Sequence, residues 1–449
     1  MVEAPPAPSE SAVDVSRLID ERPIRGFQIA IVAICAAIVL LDGFDAQIMG
    51  YVAPALATDL HIARPALGPV LSSSLVGMML GAMVFGPLAD RVGRRPVLIV
   101  CPLIFGLGSL LTTTADSATS LMVFRLVTGF GMGGAMPNTI ALTAEYMPKR
   151  VRASAVMIMF CGFSIGAAVV GWVAAGVIPR FGWQGVFVVG GILPCIVAAA
   201  VIGFLPESIR FLVRTRPGDG RATRYLARIA PNAPPGRLTL EDSVRGGFAV
   251  GQLFAGGRRW LTLLLWAMFF ANLLDLYFIN SWLPTIMHDV GIAQQRAILI
   301  TTLLQVGGTI GAVVLGRLLD RRLSFRLLAL TYLGAAACVF LIGESGASLA
   351  WLVITVFAAG FGVIGAQNGA NVLAAESYPT AIRSTGIGWA FGIGRVGSIL
   401  GPTLGGRLVG TTPRLFLWAA VPLMVAAAAA FVAASVAALH SKAHKETPS

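Results

Sequence analysis

Apolar residues run through this chain in twelve long blocks, at roughly 27–57, 66–89, 97–115, 119–147, 153–178, 184–205, 260–286, 296–319, 326–343, 349–377, 382–406 and 415–438, with the polar residues collected between them. A helix of about 20 mostly apolar residues crosses the hydrocarbon core of a bilayer. The pattern therefore predicts an all-α polytopic membrane protein with twelve transmembrane helices. By length alone, 449 residues would make two or three soluble domains, but only 12% of them are charged, against about a quarter in soluble domains.

The blocks fall into two matching sets. "GFGMGGAMPNTIALTAEYMPKRVRAS" (129–154) matches "GFGVIGAQNGANVLAAESYPTAIRST" (360–385) at an offset of 231, so that Gly129, Gly131, Gly134, Glu145, Pro148 and Arg152 recur as Gly360, Gly362, Gly365, Glu376, Pro379 and Arg383. "GPLADRVGRR" (86–95) is echoed by "GRLLDRRLSF" (316–325) at 230, and the same offset lays Asp45 over Asp275 and Pro54 over Pro284. The predicted organisation is a tail at 1–26, a six-helix half at 27–205, a basic linker at 206–258, a second six-helix half at 259–438 and a tail at 439–449. Paired halves with a site between them near the midplane are a transporter architecture.

The net charge of +12 reports topology and not a nucleic-acid partner. With the N-terminus inside, the inner loops hold Arg91, Arg94 and Arg95; Lys149, Arg150 and Arg152; Arg321, Arg322 and Arg326; and the run from Arg210 to Arg259. The outer loops hold only Arg64, Arg180, Arg296, Arg407 and Arg414. This bias sets both termini in the cytoplasm. The first 25 residues are polar and the first apolar run is too long for a signal-peptide core, so a tail followed by a first span is expected rather than a cleaved signal. The five cysteines, Cys35, Cys101, Cys161, Cys195 and Cys338, all fall inside apolar blocks without a CxxC pair, and buried free thiols are expected.

Several motifs match nothing that their context supports. "GFGMGG", "GFGVIG" and "GIGRVG" (392–397) satisfy GxGxxG, but none follows a strand, so no dinucleotide cofactor is expected. Glycine at these spacings lets transmembrane helices approach closely. "GFSIG" (162–166) lies mid-helix without the strand and turn of a nucleophile elbow. None of the three lysines follows glycine in a nucleotide-binding loop, and the four histidines fall in loops or the tail, so neither nucleotide nor metal is expected. No nucleophile–base constellation of an enzyme is present.

The "GPLADRVGRR" loop and the six-plus-six layout resemble the major facilitator superfamily along the whole chain. "LDGFD" (41–45), "PESIRFL" (206–212) and "GIGRVGSILGPTLGG" (392–406) resemble its aromatic acid:proton symporters. The second loop copy departs from the signature, with Leu323 where glycine belongs. The resemblance implies the major facilitator fold and a symporter of a small aromatic acid and protons in a bacterial-type inner membrane. Drug:proton antiporters of the superfamily typically carry GPxxGG in span five, where this chain reads "GFSIGAAVVG"; its "GPTLGG" falls in span eleven. That favours a symporter, with nicotinate and sugar acids as alternative cargo.

Ionisable residues inside spans cost at least about 2.5–3.5 kcal/mol on insertion scales and mark functional positions. Asp42 and Asp45 stand three residues apart on one helical face near the middle of span one. Two carboxylates there cannot both ionise cheaply, so one is expected to carry the coupling proton. A structural pair bonded to neighbouring spans is the plainer alternative. Arg125 in span four is, by the resemblance, part of an element linked to proton coupling; a structural pairing with Asp45 is the alternative. Arg395 in span eleven lies about 21 Å along its helix, near mid-depth, and its planar fork suits a substrate carboxylate. Its alternative role is a counter-ion for Asp275. Asp275, Tyr277, Asn280, Asn368 and Trp389 are expected beside the substrate, the aromatic faces and amides matching a substituted ring, with helix packing as the alternative role for each of the polar and aromatic ones. Asp90, Arg91, Glu145, Arg152, Asp320, Glu376 and Arg383 are expected in an inner gate. Cosymport of one proton with a monovalent anion is electroneutral, and a second proton would recruit the membrane potential.

Overall fold

The computed structural model describes residues 13–216, 218–231, 238–240, 250–255, 258–321, 324–345, 348–378, 383–408 and 415–445. In chain order the helices are α1 (Val15–Glu21), α2 (Gly26–Asp59), α3 (Arg64–Val92), α4 (Arg94–Thr112), α5 (Ala118–Tyr146), α6 (Lys149–Phe204), α7 (Ile209–Thr215), α8 (Gly220–Ile229), α9 (Val250–Phe254), α10 (Arg259–Asp289), α11 (Gln294–Arg321), α12 (Phe325–Glu344), α13 (Leu349–Ser377), α14 (Arg383–Leu408) and α15 (Leu415–Lys445). Nine of them, among the described residues, are long and apolar enough to cross a membrane on length and hydropathy alone. Gly182, at φ 69° and ψ −176°, interrupts the helical geometry of α6 and divides it into two spans; a side chain is disfavoured in that region. With α5 and α14, richer in glycine and polar residues, the spans number twelve, six in each half.

Within each half the helices close on glycine. In the first, a Cβ on Gly77 would lie 2.1 Å from the Leu126 carbonyl oxygen, and one on Gly129 1.9 Å from that of Ser74, so α3 and α5 touch backbone to backbone. In the second, a Cβ on Gly307 would lie 2.1 Å from the Phe357 carbonyl oxygen and one on Gly360 2.0 Å from that of Leu304, so α11 and α13 join in the same way. The GxGxxG glycines of spans four and ten are thus packing positions.

The outer surface is apolar. Trp172, Phe181, Trp351 and Trp418 stand out from the bundle at the end opposite the termini, and Phe204 and Trp260 at the end that carries them. Aromatic side chains at two levels are the pattern of a bilayer's two interfaces. The thiols depart from expectation: Cys35 and Cys101 are buried, Cys195 and Cys338 only partly so, and Cys161 is exposed on this surface. An apolar block in lipid need not face the protein interior.

The tail and linker are structured together. Val13–Asp14 pairs in parallel with Leu238–Thr239, and Val15, Leu18 and Ile19 of α1 pack in one apolar cluster with Leu212, Leu226 and Ile229 of α7 and α8. Asp20 accepts the Lys149 backbone N–H at 2.7 Å, tying α1 to the start of α6. In the linker, Asp219 caps α8, and its bonds to Arg221 draw its carboxyl down to about 2.

The halves meet unevenly. Among the described residues, every hydrogen bond and ion pair between them lies toward the end opposite the termini. Arg64 on α3 binds Asp289 on α10 at 2.6 Å, Tyr51 on α2 meets Thr302 on α11 at 3.4 Å, and Ser72 on α3 bonds Ile399 and Thr403 on α14, each at 2.8 Å. Backbone meets backbone where a Cβ on Gly50 would stand 2.2 Å from the Asn280 carbonyl oxygen.

Candidate functional site

Four charged side chains inside the spans define the site. The bidentate pair is Arg125 with Asp45: Nη1 donates to Oδ1 at 2.8 Å and Nη2 to Oδ2 at 2.6 Å, with both side chains essentially inaccessible. The Arg125 guanidinium also lies 5.5 Å from the Phe187 ring centroid, a favourable cation–π placement. Two parallel charged hydrogen bonds offset much of what it costs to take both ions out of water.

Asp42, one helical turn away, has no such partner. It is buried, and neither carboxylate oxygen receives a hydrogen bond. It borders a pocket between α2, α4 and α5 whose other walls include Leu41, Cys101, Phe105, Gly131 and Met132. Arg395 and Asp45 are the charges within electrostatic reach of it. Arg395, half-buried on α14, donates to the Tyr277 hydroxyl of α10 at 3.4 Å, so α2, α10 and α14 converge on a carboxyl, a guanidinium and a phenol.

Asp275 stands apart from that group. It is fully buried, neither oxygen has a partner, and Arg395 forms no ion pair with it within 4 Å. Asn280 accepts from Gln305 at 3.1 Å. Asn368 is exposed and bonds its own helix at Ile364. Trp389 stacks on Trp266, with ring centroids 5.7 Å apart and planes at 21°.

At the end carrying the termini, Glu145 accepts from Arg94 and Ser208, both in its own half or its linker. Asp90 and Arg91 are exposed at the close of α3 and Glu376 is exposed on α13. Arg152 reaches the Met147 carbonyl at 3.3 Å. The side chains of Asp320 and Arg383 lie outside the described residues. One residue not singled out in the sequence organises this corner. Glu207 accepts the backbone N–H groups of Arg94 at 2.8 Å, Arg95 at 3.2 Å and Ser208 at 2.8 Å, a carboxylate on the N-terminus of α4. Its signal was the "PES" that follows span six. Among the described residues no three His, Cys, Asp or Glu side chains are grouped to hold a metal.

Comparison with known proteins agrees with this architecture. The sequence model described as Major Facilitator Superfamily matches residues 35–402 and 265–448. The chain is 40% identical to a gallate transporter of Pseudomonas putida, over 94% of this chain and 95% of that one. It is also 40% identical to the 4-hydroxybenzoate transporter PcaK of Pseudomonas aeruginosa, over 91% of this chain and 92% of the relative. In fold it is similar to a bacterial homologue of the human lysosomal transporter Spinster solved in an inward-facing, unoccupied conformation, with a TM-score of 0.73 at 16% identity, covering 92% of this chain and 98% of that one.

Proposed function

Since the chain belongs to the major facilitator superfamily, we propose that it is a secondary transporter of the bacterial inner membrane that imports a small aromatic carboxylate together with protons. The observation that carries the reading is the convergence of Asp42, Arg395 and Tyr277: an uncompensated buried carboxyl within electrostatic reach of a half-buried guanidinium that a phenol holds. The high identity to transporters of gallate and 4-hydroxybenzoate supports the cargo class.

With both termini in the cytoplasm, the contacts at Arg64–Asp289, Tyr51–Thr302 and Gly50–Asn280 hold the periplasmic side together. The coupling is a competition for one cation. Ionised Asp42 draws on Arg395; a proton on Asp42 removes that charge and leaves the guanidinium for the substrate carboxylate. Tyr277 orients the guanidinium and offers its ring face to the aromatic cargo. The Asp45–Arg125 pair supplies the fixed charges beside the switch. Asp90, Arg91, Glu145, Arg152, Asp320, Glu376 and Arg383 belong to the inner gate that closes when the halves rock together at the cytoplasmic side.

The test is uptake of labelled 4-hydroxybenzoate into proteoliposomes with an imposed inward proton gradient. Accumulation that requires the gradient is expected. Absence of any flux with 4-hydroxybenzoate, gallate and benzoate would remove the cargo assignment.

A further inference from the structure

The two halves carry the same acidic turn, but they satisfy opposite members of it. At the offset of 230, Asp42 and Asp45 of α2 fall over Asn272 and Asp275 of α10. In the first half the Asp45 position is paired, with Arg125, and the Asp42 position is unpaired. In the second half the Asn272 position is paired, its amide donating to Gln367 at 2.6 Å, and Asp275 is unpaired. The reason is one residue: at the offset of 231, Arg125 falls over Val356, a fully buried valine on α13. The cation that pairs with Asp45 has no counterpart at the matching place beside Asp275.

We infer that Asp275 is a second proton-carrying carboxyl, so that two protons enter with each carboxylate anion. The inference rests on the transport reading above and deepens it.

The physical case begins with what surrounds the side chain. Asp275 has no solvent exposure, and the groups that could compensate a charge do not reach it. The titratable or charged residues on the helices packed against α10 are Cys35, Asp42, Asp45, Tyr51 and Asp59 on α2, Arg296, Arg317, Asp320 and Arg321 on α11, Glu376 on α13 with Tyr378 just after it, and Arg383, Arg395 and Arg407 on α14; residues 415–439 of α15 carry none. Tyr277, His288 and Asp289 share α10 itself. Among the described side chains, none bonds to either carboxylate oxygen of Asp275. An ion in that position is uncompensated, whereas a neutral carboxyl is tolerable.

A second observation points to the same species. Asn272 Oδ1, one turn from Asp275 and equally buried, is an acceptor without a donor, and residues three apart on a helix are neighbours. An O–H on Asp275 supplies the donor that this face of α10 lacks. The helix is also placed to change that state during the cycle. Its next turns, at Asn280 and Asp289, hold the periplasmic contacts to Gly50 and Arg64, so opening that side moves α10.

Two protons and one monovalent anion carry one net positive charge inward. A potential of 100 mV, negative inside, then multiplies equilibrium accumulation about 50-fold, whereas one proton per anion makes it indifferent to potential. The experiment measures accumulation of labelled 4-hydroxybenzoate in sodium-free proteoliposomes. A potassium diffusion potential is imposed at equal pH, or a pH step at zero potential, on wild type and Asp275→Asn. The expected result is potential-driven accumulation in wild type, and a variant that loses this drive while keeping both the pH-driven accumulation and substrate exchange. Wild-type accumulation that ignores the potential overturns the inference while leaving the transport reading intact. Potential drive that survives in Asp275→Asn, or that appears only when sodium is added, overturns it as well. Asparagine matches a protonated aspartate in size and polarity, so a variant that fails to fold or to exchange also counts against a neutral carboxyl here. No flux in wild type with any aromatic acid is instead the failure of the transport reading.

Discussion

Arg125 donates both terminal nitrogens to the Asp45 carboxylate across the gap between α5 and α2, at 2.8 and 2.6 Å, where neither side chain meets solvent. A buried pair of this kind is weak evidence of net stability, but removing one partner strands the other as an uncompensated ion. Asp45→Asn and Arg125→Gln are each expected to lower the unfolding free energy in detergent by about 3–5 kcal/mol. The double variant should lose less than the sum, with a coupling energy of about 1–3 kcal/mol. Thermal unfolding of the four proteins measures this, and additive losses would mean that the two groups do not act as a pair.

Asp42 has the opposite fate, because no hydrogen bond holds its carboxyl in place. Asp42→Asn should lower accumulation under a pH gradient from the level that two protons sustain to that of one, and leave counterflow of labelled against unlabelled substrate at equal pH. Counterflow and accumulation lost in equal measure would assign Asp42 to substrate binding or to folding instead.

Arg395→Lys keeps the charge and discards the fork. Losing one of two charged hydrogen bonds to a carboxylate costs about 1.5–3 kcal/mol, which corresponds to a rise of roughly 10- to 150-fold in the half-saturation concentration. A change of less than about threefold in initial-rate uptake would argue that Arg395 is no bidentate ligand.

Gly50 is a wedge point. A methyl group there meets the Asn280 carbonyl oxygen at 2.2 Å, so Gly50→Ala should oppose periplasmic closure without touching the packing inside either half. The readout is labelling of a Thr302→Cys probe by a membrane-impermeant maleimide in whole cells, in a background with the native cysteines replaced. Faster labelling in Gly50→Ala is expected, and unchanged labelling would place the closing contact elsewhere.

The twelve spans were legible because lipid imposes a length and a composition on any crossing helix, and the paired halves because glycine cannot be replaced where two backbones touch, as at Gly129 and Gly360. The pairing of Asp45 with Arg125 was legible only as one of two alternatives. Sequence places both residues inside spans, but helix rotation decides which members of a turn face each other. The same limit hid the isolation of Asp42 and Asp275, which depends on what the neighbouring helices fail to supply. The stacking of Trp389 on Trp266 is not legible from either residue alone, because it is a property of two helices. Glu207 escaped notice because its partners are backbone N–H groups, which every sequence has everywhere.

The bend at Gly182 leaves the first half with a crank. Gly182 takes a non-helical φ and ψ between two helical limbs, so one residue joins them in a conformation that favours glycine. One limb bears on the second half where Gly171 abuts Thr302. The far end of the other is gripped by Arg95, which reaches the Ile202 carbonyl at 2.5 Å. A tilt imposed at the periplasmic contact therefore swings the first limb about Gly182, and the second limb follows through a joint one residue long.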